Sequence, residues 1–133
     1  MRSSEKGDGI YVNKMKKGVH IISNFFGCKN EDLLVDKKKL DAFLTKTIEK
    51  NGLTILKRYF HKFGKDDGIT GYILLAESHV AIHTWPERDN YISFDIFVCN
   101  LTSDNTAKAR KIYDEVVKEF QPRKKDENFL DRD

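Results

Sequence analysis

A serine, two histidines, two carboxylates and a thiol crowd one short reach of this chain. They are Glu77, Ser78, His79, His83 and Glu87 in Glu77-Ser78-His79-Val80-Ala81-Ile82-His83-Thr84-Trp85-Pro86-Glu87, with Cys99 one apolar segment later. The residues between them are those of a core strand, where reactive polar groups are costly to bury without partners. Taken singly, each has a bland explanation. A sheet histidine is usually a hydrogen-bonded structural group, a cysteine at a strand end a small hydrophobe, and Trp85-Pro86 packing followed by a turn. Taken together, the ordered string points to chemistry. A serine near a histidine suggests nucleophilic attack. No Gly-x-Ser-x-Gly elbow surrounds Ser78, and no spacing obliges Asp95 to orient a histidine, so a hydrolase triad is not favoured. A metal site from His79, His83 and Glu87 is also disfavoured, because that histidine spacing suits a helix face and this segment reads as a strand ending at Pro86.

The elements that must position these groups follow from periodicity. Apolar residues over 19–26 predict a first strand. Asp36 can cap a helix that carries Leu40, Phe43, Leu44 and Ile48 at helical spacing and ends at Asn51-Gly52. Strands follow over 53–60, 69–76, 79–85 and 91–99. A last helix over 105–120 has Ile112, Tyr113, Val116, Val117 and Phe120 as its stripe and stops at Pro122. This order predicts an α+β two-layer sandwich, an antiparallel sheet with helices packed on one face. Residues 1–16 read as a flexible arm, 17–122 as the domain, and 123–133 as a charged, disordered tail.

Alternation assigns faces. Ile92, Phe94, Ile96 and Val98 face the helices, while Tyr91, Ser93, Asp95, Phe97 and Cys99 share the mixed face, fit for a site or a subunit partner. Val80, Ile82 and Thr84 oppose His79, Ala81, His83 and Trp85, which puts His83 on the side of Cys99. Ser78 has the wrong parity to meet His83 in a continuous strand. For the two to meet, the chain must turn or kink at Ser78, which alternation alone does not settle. A strained link there would be meaningful, since strained links collect at reactive sites.

Bulk properties exclude several classes. The 133 residues suit one domain. A net charge of +3 is too small to argue for nucleic acid. The clusters at Lys14, Lys16 and Lys17 and at Lys37, Lys38 and Lys39 read as solvated faces. Cys28 and Cys99 are far apart and form no Cys-x-x-Cys pair, against a zinc site or a disulfide framework. Free thiols suit a reducing compartment. With no apolar run long enough to span a membrane and no signal core, the expected location is cytoplasmic.

The strings Ala76-Glu77-Ser78-His79, Ile82-His83-Thr84-Trp85-Pro86-Glu87 and Asp95-Ile96-Phe97-Val98-Cys99 resemble the signature of the bacterial and archaeal S-adenosylmethionine decarboxylase proenzymes. Upstream, Gly18-Val19-His20, Phe25-Phe26-Gly27-Cys28, Phe60-His61-Lys62-Phe63 and Gly68-Ile69-Thr70-Gly71 extend the resemblance over residues 18–121. It implies a self-processing enzyme with a covalent pyruvoyl cofactor generated from Ser78. The Ser78 hydroxyl attacks the Glu77 carbonyl, the resulting ester is expelled by β-elimination, and hydrolysis leaves a pyruvoyl group on an α-chain of residues 78–133 beside a β-chain of residues 1–77. The pyruvoyl ketone would form a Schiff base with the substrate amine and accept electrons as carbon dioxide leaves. By the same resemblance His83 handles protons in processing, Thr70 stands where a serine assists it, Cys99 returns a proton to the substrate, Phe63 stacks on adenine and Glu87 binds the ribose hydroxyls. No metal is implied. The implied partners are S-adenosylmethionine and a second copy in a homodimer of processed protomers with sites between subunits, and the product serves spermidine synthesis.

Four places depart from the family pattern. Thr70 adds a methyl to the assisting hydroxyl. The loop Gly64-Lys65-Asp66-Asp67 is one residue longer, and the turn Arg88-Asp89-Asn90-Tyr91 is longer and more charged. Asn24 stands where an acidic residue is common. Because these flank the pocket, decarboxylation of arginine or ornithine is an alternative, as is an uncut, inactive homologue acting as a binding or regulatory subunit.

Overall fold

Period-two alternation along the strands and 3.6-residue stripes on the helices sort the chain into one sheet and one helical layer. The computed structural model describes residues 18–101 and 103–132, so the expected arm at 1–16 lies outside the described residues. The elements run β1 (Gly18–Phe26), α1 (Asp32–Val35), α2 (Lys37–Lys50), β2 (Ile55–Lys62), β3 (Ile69–Leu75), β4 (Ser78–Trp85), β5 (Tyr91–Val98), α3 (Thr106–Phe120) and β6 (Lys124–Arg132). The sheet order is β2-β3-β4-β5-β1-β6, and every neighbouring pair is antiparallel. The expected α+β two-layer sandwich is the fold observed.

The helices cover one face. α2 starts where the Asp36 side chain accepts a hydrogen bond from the Lys39 backbone N–H. It ends at Asn51, followed by Gly52 with φ of 87°. Leu40, Leu44 and Ile48 of α2 and Ile112, Val116 and Phe120 of α3 are fully buried against Ile21, Val80, Ile82, Phe94 and Ile96 of the sheet. Thr84 is a buried polar residue with both roles used. Its hydroxyl donates to the Leu34 carbonyl at 2.7 Å and accepts from Ile69 N–H at 2.8 Å, tying α1, β4 and β3 together. Gly68 allows this close approach, since a Cβ there would lie 1.8 Å from the Thr84 carbonyl oxygen.

The C-terminal segment corrects the expectation of a disordered tail at 123–133. Residues Lys124–Arg132 form β6, an edge strand in continuous register with β1 from Gly18↔Arg132 to Phe26↔Lys124. Its charges misled because both edges of the alternation are solvated. Only Phe129 and Leu130 carry apolar surface, and Phe129 packs edge-on against Tyr113 at 5.7 Å with Arg110 over its ring at 4.2 Å. The Tyr113 hydroxyl donates to Glu127.

Candidate active site

At the β3–β4 turn three hydrogen bonds hold the chain. Ala76 N–H donates to the Thr54 carbonyl at 2.9 Å, and the Glu77 carboxylate accepts from Thr54 N–H at 3.1 Å. The Glu77 carbonyl, the group a serine nucleophile would attack, accepts from Cys99 N–H at 2.8 Å. The next residue, Ser78, has φ of 152°, a conformation that costs a non-glycine residue on the order of 1–3 kcal/mol. The strained connection expected at Glu77-Ser78 is therefore present, although it does not bring Ser78 to His83. It lets Ser78 Oγ leave its expected face and come within 3.4 Å of His79 Nδ1. Ser78 pairs with Val98, so Cys99 is its neighbour across the ladder. Cys99 is half-buried and Cys28 fully buried. Burial pushes the Cys28 thiol up to about 12, which makes it an inert core residue.

A second group gathers at the other end of β4. Thr70 and His83 are cross-strand partners, and Thr70 Oγ1 lies 3.0 Å from His83 Nδ1. Stacked rings brace the histidine: His83 on Trp85 at 5.7 Å, Trp85 on Tyr91 at 5.1 Å and Tyr91 on Phe26 at 5.2 Å. Asn24, at the expected acidic position, accepts from the Tyr91 hydroxyl at 2.6 Å. Phe63, Thr70, His83 and Glu87 line one cleft of about 300 Å³. Phe63 is 65% exposed, a ring face left for something to stack on. The Lys62 ammonium organises the lengthened loop beside it by donating to the carbonyls of Gly64, Lys65 and Asp67. A larger cleft of about 610 Å³ between α2 and Arg58 is lined by charged helix side chains and lies away from the reactive groups.

Two groupings therefore replace the single cluster the string suggests. Ser78, Glu77 and Cys99 meet at one end of β4, and Thr70, His83, Phe63 and Glu87 at the other. His83 is on the same face as Cys99, as parity implies, but it stands five positions from Ser78, roughly 17 Å at the rise of an extended strand. Nor do His79, His83 and Glu87 form a ligand set.

The histidine beside Ser78 is His79, which the string offers only as a disfavoured metal ligand. His79 Nε2 lies 3.3 Å from Asp95 Oδ2, and the same oxygen lies 2.8 Å from His20 Nε2. His20 Nδ1 in turn faces an Arg132 guanidinium nitrogen at 3.1 Å. Asp95 thus does hold a histidine, contrary to the weight given to spacing alone. Parity already put His79 and Asp95 on one face, but Arg132 belongs to the unforeseen β6. The ligand atoms of His20, His79 and Asp95 lie within 4.8 Å of one another, a separation a metal ion could bridge, and hydrogen bonds already link them.

Fold and site define an α+β enzyme whose reactive groups lie on the uncovered face of one sheet. A family model described as S-adenosylmethionine decarboxylase matches residues 19–133. The S-adenosylmethionine decarboxylase proenzyme of Clostridium botulinum is 41% identical over 88 residues, 66% of this chain and 73% of that protein. That of Archaeoglobus fulgidus is 34% identical over 115 residues, 86% of this chain and 96% of that protein. The crystal structure of the adenosylmethionine decarboxylase from Aquifex aeolicus has a TM-score of 0.76 at 26% identity, covering 89% of this chain and 92% of that one. The chain belongs to the S-adenosylmethionine decarboxylase family.

Proposed function

We propose that this chain is a proenzyme that cuts itself between Glu77 and Ser78, and that its pyruvoyl-bearing fragment 78–133, held with fragment 1–77, decarboxylates S-adenosylmethionine for spermidine synthesis. The observation that carries the proposal is the Glu77–Ser78 link itself: a serine at φ of 152° following a carbonyl that accepts from the Cys99 N–H. Attack by Ser78 Oγ puts negative charge on the Glu77 oxygen, where a fixed backbone donor is most effective. The carbon–nitrogen bond then breaks to leave an ester. Loss of the Ser78 α-proton expels the Glu77 carboxylate, and hydrolysis of the enamine releases ammonia. The residues present fit the group this makes, since Ser78 supplies its carbons and Cys99 stands beside it.

When formed, the pyruvoyl ketone supplies the electron sink for loss of carbon dioxide from an α-amino acid. Cys99 delivers the proton that takes the place of the carboxylate. The exposed Phe63 ring receives adenine and Glu87 accepts from the ribose hydroxyls. Their shared cleft favours a nucleoside substrate over arginine or ornithine.

The working enzyme is a homodimer. Thr70 on β3 and its cross-strand partner His83 on β4 lie too far along the sheet to serve Ser78 of their own chain, and the uncovered sheet face exposes Ile22, Tyr59, Tyr72, Leu74 and Leu130. A two-fold axis crossing the middle of β4 would stack the two faces about 10 Å apart and bring His83 of each copy to Ser78 of the other. Two free cysteines suit a reducing, cytoplasmic setting. Among the described residues no helix is long and apolar enough to cross a membrane.

Carbon dioxide release by the purified, cut protein, offered S-adenosylmethionine, arginine and ornithine in turn, tests the substrate. Release from S-adenosylmethionine alone is expected. Release from either basic amino acid instead overturns the assignment, and a chain that stays full length and inert overturns the enzyme reading.

A further inference from the structure

If His83 of a second copy completes the site, it leaves unexplained a hydrogen-bonded line inside the single chain. From Ser78 Oγ the line runs to His79 Nδ1, from His79 Nε2 to Asp95, across Asp95 to His20 Nε2, and from His20 Nδ1 to Arg132. Donor logic orients it. A guanidinium only donates, so His20 Nδ1 accepts from Arg132 and the His20 proton sits on Nε2, aimed at Asp95. Asp95 accepts from both rings. With its own proton on Nε2, His79 presents a bare Nδ1 to the Ser78 hydroxyl. Neighbouring rings fix this orientation, with Tyr72 stacked on His79 at 5.6 Å and His20 edge-on at 5.8 Å. The order hydroxyl, imidazole, carboxylate is that of acyl transfer, and the Cys99 N–H on the Glu77 carbonyl occupies the place of an oxyanion donor. Here the acyl group is the chain's own. A separation of 3.4 Å is long for a working bond, as resting geometry often is before the reacting atoms tighten.

We propose that His79 is the general base of the first self-processing step, and that Asp95, His20 and Arg132 are positioning residues for it. This rests on the self-processing reading above and deepens it. The Ser78 Oγ proton passes to His79 Nδ1 as Oγ bonds to the Glu77 carbonyl carbon. The carbonyl electron pair moves onto Glu77 O, facing Cys99 N–H. Collapse breaks the Glu77 C–Ser78 N bond, and His79 returns its proton to the departing nitrogen. Amide becomes ester and amine, with no proton gained or lost. The acyl shift is thus an event of one chain, and only the later elimination calls on His83 of a second copy.

The test follows the freshly purified full-length chain by intact mass. Ester is scored as hydroxylamine-dependent cleavage before Ser78. If the unaltered chain is never cut, self-processing and this proposal fail together. Given that it is cut, His79→Ala and His79→Gln are expected to slow cleavage by about 100-fold or more. Both should keep an amide that hydroxylamine leaves intact, while His83→Ala accumulates the hydroxylamine-sensitive ester. Asp95→Asn should slow cleavage by about tenfold, with part of the rate returned by Asp95→Glu. Cutting of both His79 variants within about threefold of the unaltered chain, or a build-up of ester in them, overturns His79 as the base while leaving self-processing standing.

Discussion

In the proposed enzyme Cys99 has two separable duties at one position. Its backbone N–H donates to the Glu77 carbonyl, and its thiol is the proposed proton donor to the substrate. Cys99→Ala keeps the first and removes the second, so it should still yield two fragments while decarboxylation falls by about 10²- to 10⁴-fold. Fragment mass and carbon dioxide release, measured on the same sample, check both halves. Ser78→Ala has no nucleophile and should give one uncut, inactive chain. The two thiols should also differ. Cys28, buried and pushed up to about 12, should resist iodoacetamide in the native protein, whereas Cys99 is alkylated, as peptide mapping would show. Much at this scale was legible in the string. Parity marked Ser78 as out of step with His83, and the strain expected at Glu77-Ser78 is there as a φ of 152°, but the two side chains stay five positions apart. The role proposed for His79 was not legible, since it is the distorted φ of Ser78 that brings the serine hydroxyl to His79.

Strands and helices were read where a buried face imposed a period. α3 shows a full apolar stripe, and β4 and β5 alternate cleanly. β6 escaped because an edge strand with two wet faces has no hydrophobic period. What fastens it is particular: Phe129 on Tyr113, and the Tyr113 hydroxyl on Glu127. That bond, ahead of Lys125, holds the Glu127 carboxyl below its ordinary range, and burial, followed by the same bond, pushes the Tyr113 hydroxyl up. A carboxyl lowered by folding stabilises above its unfolded value and loses that contribution as pH falls through the lowered one. Tyr113→Phe should therefore cost about 1 kcal/mol at neutral pH in urea unfolding, the low end because Glu127 is partly wetted. The cost should shrink as the acid range is entered. Thr84→Val, which strands Ile69 N–H and the Leu34 carbonyl in the core, should cost about 2 kcal/mol at any pH and lower the melting temperature accordingly.

At the scale of the molecule, one chain carries the two proposed half-sites at opposite ends of β4. The sequence string made them look like one cluster, since residues close along a strand need not be close enough to touch. The proposed pairing of open faces would reconcile them, and it makes a prediction that no single-chain site allows. Ser78→Ala and His83→Ala are each deficient alone. Coexpressed, they form mixed dimers in which Ser78 of one chain meets His83 of the other, so the His83→Ala chain should be cut once its partner is present. Failure of cutting in a proven mixed dimer would leave the two half-sites unconnected. The link under all of this is Glu77–Ser78, and intact mass of the purified, unaltered protein tests it most directly. Two fragments are expected, residues 1–77 and a 78–133 fragment short by one ammonia, as a serine turned to pyruvoyl requires. A single mass for residues 1–133 in a preparation that releases carbon dioxide from S-adenosylmethionine would contradict it.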